Sequence, residues 1–483
     1  MRTVGVSFSV YISNKIGAEA VGVFGLIMSV YMFAVTFATS GINITCVRIV
    51  SEELAYCNMG NIKKVVKQCS IFSLFLGITA CIILFICAPY ISSTLLHNKV
   101  SPIPLYILAI SLPTNSICAC LNGYFSAVRK VTKTASTQIL EQFVKIALTA
   151  FFINIFLPSG IDFACLSLVL GSTISEILSF LYLYILYTFE KHKYISKPTS
   201  RKDFSRQILR ISAPMAFTSY IRSGLSTLKQ VIIPLRLEKY GISCERALSQ
   251  YGIINGMVMP IILFPSVLIN SFSSLLIPEF SELNTRNSSN RINNILPKIF
   301  KVTLLFSICI IGIFWCFSDE LSLAIYNNIE ISKFIKILCP LIAFMYLDTI
   351  VDSILKALDK QVSVMGINIL DLFVSIAFIY FLLPIYGILG YITVIFISEI
   401  LNSTVSLREL LKISNFKIDY INWIIKPTLS AIATNFIIFL LPFQNSNSYL
   451  YLAIHIFVYI LFYLVIIVSL GCISIKDFKS SRE

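Results

Sequence analysis

The sequence predicts an all-α integral membrane protein of about fourteen transmembrane helices, in two parallel six-helix lobes plus two C-terminal helices, with a shortened first helix. Three observations predict it: an apolar composition, basic residues clustered in alternate connections apart from Lys15, Lys99 and the group Arg236, Lys239 and Arg246, and an internal repeat about 230 residues long. Of the 483 residues, 57% are hydrophobic and 13% charged, with a mean hydropathy of +0.84. Soluble domains run nearer a quarter charged, so the class is membrane-embedded. The apolar runs are continuous rather than alternating with period two, which selects helices over a barrel. The 13 cysteines fall mostly inside these runs without a CxxC pair, and read as small buried hydrophobes.

Spans are expected near 2–13, 19–42, 69–91, 103–127, 135–157, 163–188, 211–235, 248–277, 298–318, 333–355, 361–384, 386–411, 421–443 and 448–473. One set of connections carries Lys63, Lys64 and Lys67, then Arg129, Lys130 and Lys133, then the stretch Lys191–Arg206, and later Arg286, Arg291 and Lys298. The same side ends with Lys476, Lys479 and Arg482, whereas the intervening connections at 158–162, 383–387 and 441–448 hold no base. By the positive-inside rule both termini are cytoplasmic. The net charge of +14 follows from this sorting and needs no nucleic-acid partner.

The segment 122–147 aligns without gaps to 352–377, placing Glu141 on Asp371. The second span and its exit, ending at Glu52, align to the stretch ending at Glu282, again 230 residues on. An even number of spans per copy makes the copies parallel. The expected organisation is a lobe at 1–190, a cytoplasmic linker at 191–206, a second lobe at 207–412, and two further helices with a tail at 413–483. A ligand site is expected in the cleft between the lobes. Aligned on its twin, the first span lacks a counterpart to 211–224. Its dozen residues reach only about 18 Å at helical rise, so a start further upstream or a truncation is expected.

The seventh span carries Arg222 and Lys229, seven apart on one helix face, with Ser226 between them and Thr218 one turn below. A cation inside hydrocarbon costs several kcal/mol without a partner or water. The stripe therefore reads as the lining of a hydrated cavity suited to an anion such as pyrophosphate. The alternative is a Lys229 that snorkels outward and an Arg222 paired with a carboxylate. Asp348, Asp371, Glu176 and Glu399 are the in-span carboxylates open to ion coupling, and Asp352 pairs more simply with Lys356. Glu176 and Glu399 occupy matching repeat positions, which favours a packing role slightly over ion coupling. Pro234, Pro260 and Pro265 interrupt the seventh and eighth spans and are expected as gating breaks. The sequence contains no phosphate-binding Gly-rich loop, acyltransferase motif or metal-ligand cluster. An enzyme is therefore not expected, nor a cofactor, a metal or ATP-driven transport.

The residues NKIGAEAVGVFGLIMSVY (14–31), IIPLRL (232–237), YGIINGMVMP (251–260), LFPSVLINSFSSLLIPEFSE (263–282) and the two SEIL blocks resemble the multidrug/oligosaccharidyl-lipid/polysaccharide (MOP) exporter superfamily. More narrowly, they look like the stage V sporulation protein B branch, similar to the lipid II flippases. The resemblance implies two lobes with alternating access and a polyprenyl-pyrophosphate-linked sugar moved between leaflets. Lipid II flippases carry arginines on their first, second and eighth helices. Here the eighth span has none inside it, which leaves Arg222 and Lys229 as the main basic residues. The expected function is a flippase for a lipid-linked oligosaccharide or peptidoglycan precursor in cell-wall, spore-cortex or surface-polysaccharide assembly. Membrane lipids and envelope-synthesis enzymes are the expected partners of a monomer. The alternatives are a cation-coupled multidrug exporter of the same superfamily and a membrane scaffold.

Overall fold

The computed structural model describes residues 2–56, 58–95, 101–156, 161–191, 203–286, 288–414, 416, 419–440 and 449–472. Most of the expected linker (192–202), the base-free connection 441–448 and the basic tail with Lys476, Lys479 and Arg482 lie outside these residues. Every regular element among them is helical. In order these are α1 (Arg2–Thr39), α2 (Ile42–Ala55), α3 (Met59–Leu95), α4 (Ile103–Ala127), α5 (Val131–Phe156) and α6 (Ile161–Lys191). There follow α7 (Ser205–Lys239), α8 (Cys244–Gly252), α9 (Met259–Leu263), α10 (Ser266–Thr285), α11 (Ser289–Cys316) and α12 (Ser318–Tyr326). The chain ends with α13 (Glu330–Leu338), α14 (Ile342–Ala357), α15 (Gln361–Ile413), α16 (Lys426–Leu440) and α17 (Tyr449–Ser469).

Ten helices are long and apolar enough to cross a membrane, or eleven when the bent pair Cys244–Leu263 and Ser266–Thr285 is one span. Two of them are double. The stretch Val4–Ala55 merges the first two expected spans and bends at Gly17, and 361–413 merges the eleventh and twelfth at Gly387. Both glycines have positive φ, 79° and 56°, so each stretch is two helices that meet at a kink only glycine adopts without strain. With α7, whose own cations set it apart from ordinary apolar spans, the described helices account for the fourteen expected. The chain is thus a multi-pass membrane protein. The short helix α12 is an element that apolar run length did not announce.

The repeat is visible in local geometry. Helix α2 ends at residue 55 and α10 at 285, α3 begins at 59 and α11 at 289, and α4 ends at 127 and α14 at 357. Arg129 and Asp359 (359 − 129 = 230) both sit at positive φ, 58° and 61°, in the turns that follow α4 and α14. In those turns Lys130 N–H donates to Phe125 O and Lys360 N–H to Leu355 O, each at 2.9 Å. Non-glycine residues rarely adopt this conformation, so its recurrence at one offset marks the same turn built twice.

The chain forms two compact units. The first covers Ile16–Gly252 and the second Arg2–Lys15 with Ile253–Glu483. Contacts thus group α7 and α8 with the first unit, although the repeat pairs them with α1. In the first unit Ile49, Val65, Leu121 and Phe125 pack around buried Cys46 and Cys120 from α2, α3 and α4. Gly22 of α1 and Gly252 at the end of α8 pack backbone to backbone: a Cβ at either would strike the carbonyl of Leu248 or Ala18. Small residues at a close helix crossing replace the hydrophobic drive that lipid cannot supply. In the second unit α14 packs against α10, α11 and α15, and α16 against α17 and α11.

Candidate functional site

Helix α7 presents two adjacent faces. Along one, Tyr220, Ser223, Thr227 and Gln230 follow helical spacing and lie against α1. The Tyr220 hydroxyl donates to Phe37 O (3.1 Å), Ser223 to Thr36 Oγ1 (3.1 Å) and Thr227 to Ser29 O (3.0 Å). The Tyr220 and Phe37 rings stack at 5.1 Å, and Gln230 Oε1 accepts from the Tyr251 hydroxyl at 3.3 Å. These bonds satisfy polar groups that hydrocarbon would leave bare, and so fix α7 on α1.

The next face carries the basic stripe. Arg222 is exposed and Lys229 half-buried. Arg222 has no hydrogen bond or ion pair among the described residues, whereas Lys229 is engaged within the protein. Thr218 turns its hydroxyl back to Met215 O at 3.0 Å. Ser226 lines a cavity of about 200 Å³ together with Ser223, Thr227 and Gln230 of α7 and Gly25 and Ser29 of α1. The structure therefore brings Ser226 to a hydroxyl-rich pocket and sets Arg222 four residues before it on the same helix. Pro234 leaves α7 unbroken. Pro260 follows a π-helical stretch, Ile253–Val258, and Pro265 caps the 58° bend between α9 and α10. A proline removes one backbone donor and crowds the preceding turn, which accounts for the bend.

The carboxylates form two separate groups. In the first unit Glu176 Oε2 accepts from the Tyr31 hydroxyl (2.5 Å) and from Asn115 Nδ2 (2.9 Å). Asn115 also donates to the Tyr31 oxygen (2.8 Å), which lies 2.7 Å from Ser111 Oγ. In the second unit Asp348 Oδ2 on α14 accepts from Asn402 Nδ2 on α15 (2.9 Å), and Asp371 Oδ1 accepts from the Ser398 hydroxyl (2.7 Å). Asp348 Oδ1, Asn402 Oδ1 and Asp352 Oδ1 are buried and unbonded. Asp352 lies 3.5 Å from Lys356, the local pair that the spacing predicts. Glu399 is half-buried and engaged within the protein. Run-based reading missed Tyr31, Ser111, Asn115, Ser398 and Asn402. Amides within apolar spans are the signal that would have found Asn115 and Asn402.

A model of the polysaccharide biosynthesis protein family matches residues 2–284. The chain belongs to that family. It is 25% identical over 396 residues to stage V sporulation protein B of Bacillus subtilis (strain 168), covering 80% of this chain and 76% of that one. Among solved structures it is similar to an inward-facing multidrug resistance MATE family transporter of the MOP superfamily, with a TM-score of 0.67 and 13% identity over 86% of this chain and 94% of that one. It is also similar to the lipid II flippase MurJ in an inward closed conformation, with a TM-score of 0.65 and 15% identity over 93% and 97% of the two chains. The fold is thus the one these MOP-superfamily proteins share.

Proposed function

We propose that this family member is a flippase, moving a polyprenyl-pyrophosphate-linked oligosaccharide or peptidoglycan precursor across a bacterial plasma membrane by alternating access, with both termini cytoplasmic. The observation that carries this reading is Arg222, an exposed cation on a membrane helix with no ion pair among the described residues. A guanidinium in hydrocarbon is expensive unless water or an anion meets it, and its planar fork suits the two-oxygen edge of a phosphate. The neighbouring hydroxyls and amide of Ser223, Ser226, Thr227 and Gln230 supply donors and acceptors of the kind a sugar requires. Membership of a polysaccharide biosynthesis family and similarity to a sporulation protein support an envelope glycan as the cargo.

Arg222→Ala should abolish complementation of a flippase-deficient strain while the protein stays in the membrane at its normal level, and Lys229→Ala should weaken it. Unchanged growth with Arg222→Ala would overturn the assignment. The unbonded oxygens of Asp348 and Asn402 favour a second reading, a cation-coupled drug exporter. That reading requires drug resistance on overexpression that disappears with Asp348→Ala.

A further inference from the structure

An apolar recess of the second unit is lined by none of the carboxylates described above. It has a volume of about 500 Å³ and runs between α11 and the C-terminal pair, with walls that include Leu305, Phe306, Leu464 and Ile467. Its composition is polarised. Lys298 and Lys301, one turn apart on α11, line one end, and Trp423 joins the same wall. Trp423 sits in a π-helical stretch, Ile421–Ile425, that precedes α16. Such turns re-aim single side chains and recur at functional positions. Only 6% of Trp423 is exposed, it lines the recess, and its indole N–H has no acceptor among the described residues. The deeper hydroxyl, that of Tyr463, is already satisfied by Leu305 O at 2.9 Å. The recess therefore offers polar chemistry at its lysine end and hydrocarbon elsewhere.

We propose that this recess is a binding site for an anionic glycerophospholipid, distinct from the transported substrate. One acyl chain lies in the groove, and the phosphate meets Lys298, Lys301 and the Trp423 N–H. Both lysines also interact within the protein, but an ammonium has three donors, so a phosphate oxygen can be added to an existing contact. Lysines near a membrane surface select anionic lipid by charge, and tryptophan favours the headgroup level. The site lies on the face where basic connections gather, which under the expected topology is the leaflet that bears anionic lipid.

The sequence offers a direct probe, because it has two tryptophans, Trp315 and Trp423. Trp315 is 53% exposed and lies outside the groove lining. The full chain carrying Trp315→Phe would be reconstituted in phosphatidylcholine vesicles, and Trp423 fluorescence followed as phosphatidylglycerol with brominated acyl chains replaces the host lipid. Quenching should require a lower mole fraction of brominated phosphatidylglycerol than of brominated phosphatidylcholine. The preference should fall about fivefold for each lysine removed in Lys298→Ala and Lys301→Ala, and should survive Lys298→Arg with Lys301→Arg. Equal quenching by the two brominated lipids in the Trp315→Phe protein would overturn the proposal without recourse to any lysine variant. So would a preference that persists after both lysines are removed. Relief of quenching by a small mole fraction of polyprenyl phosphate would also overturn it, by assigning the groove to a prenyl chain.

Discussion

The two carboxylate groups stand at related places in the repeat and are finished differently. Glu176 of α6 and Glu399 of α15 are the glutamates of the two SEIL blocks, and Glu141 of α5 matches Asp371 of α15. Yet the first unit brings Tyr31 and Asn115 to Glu176, so that one carboxylate oxygen accepts two donors and the tyrosine oxygen is itself bonded. In the second unit Asp348 occupies the position of Cys118 (348 − 118 = 230). It receives Asn402 on one oxygen, while its other oxygen and that of Asn402 stay bare. The helix ends and turns are copied, and the donor supply is not. A buried acceptor without a donor is a cost the fold tolerates only where another ligand or a proton meets it. The first group is thus a hydrogen-bonded clasp, and we propose the second as an open site for a cation or proton.

Mutations can break or sharpen that contrast. The largest effect is expected from Glu176→Ala, which strands the Tyr31 hydroxyl and Asn115 amide. We expect a loss of about 3 kcal/mol, measured as a fall in the thermal midpoint of the detergent-solubilised protein. Tyr31→Phe removes one donor and should cost about 1 to 2 kcal/mol in the same measurement. Asp348→Asn should cost less than about 1 kcal/mol, since the carboxylate it replaces is already half unbonded. It should, however, abolish any rise in thermal midpoint that sodium or lower pH produces in the parent protein. A destabilisation by Asp348→Asn equal to that of Glu176→Ala would erase the distinction between the groups.

The smallest effect should come from Asp319 of α12, outside the spans. Its carboxylate accepts from Lys336 at 2.8 Å and from the Ser332 hydroxyl, and these bonds hold it below the usual carboxylate range. Aspartate and lysine are both substantially exposed, 51% and 37%, so Asp319→Asn should cost no more than about 0.5 kcal/mol at neutral pH. A depressed carboxylate stabilises the fold above its unfolded pKa, and that gain is lost as pH falls through the lower folded value. The difference between parent and variant should therefore vanish once the pH has fallen through that lower value, and a difference that grows on acidification would refute the ion pair.

Much of the fold was legible because membrane helices obey local rules. Twenty apolar residues, a base-rich connection or a repeated turn can each be read without knowing what lies beside them. The offset of 230 residues, read from the sequence, recurs in the turns at Arg129 and Asp359. The candidate site was legible in part. Arg222, Asp348 and Glu176 announce themselves as charges in apolar runs, whereas Tyr31 is an ordinary residue of its span until Glu176 and Asn115 arrive from 145 and 84 residues along the chain.

By itself, then, the sequence determined the class, the spans, the repeat and the positions of the buried charges, because hydropathy and charge are properties of single residues summed along a chain. Only the tertiary structure decided which charge is clasped and which is left open. It also decided that α7 is fastened to α1 through Tyr220, Ser223 and Thr227, and that Trp423 meets Lys298 and Lys301 in one groove. Those outcomes depend on donors and acceptors from distant segments meeting at hydrogen-bond distance, which no local pattern encodes.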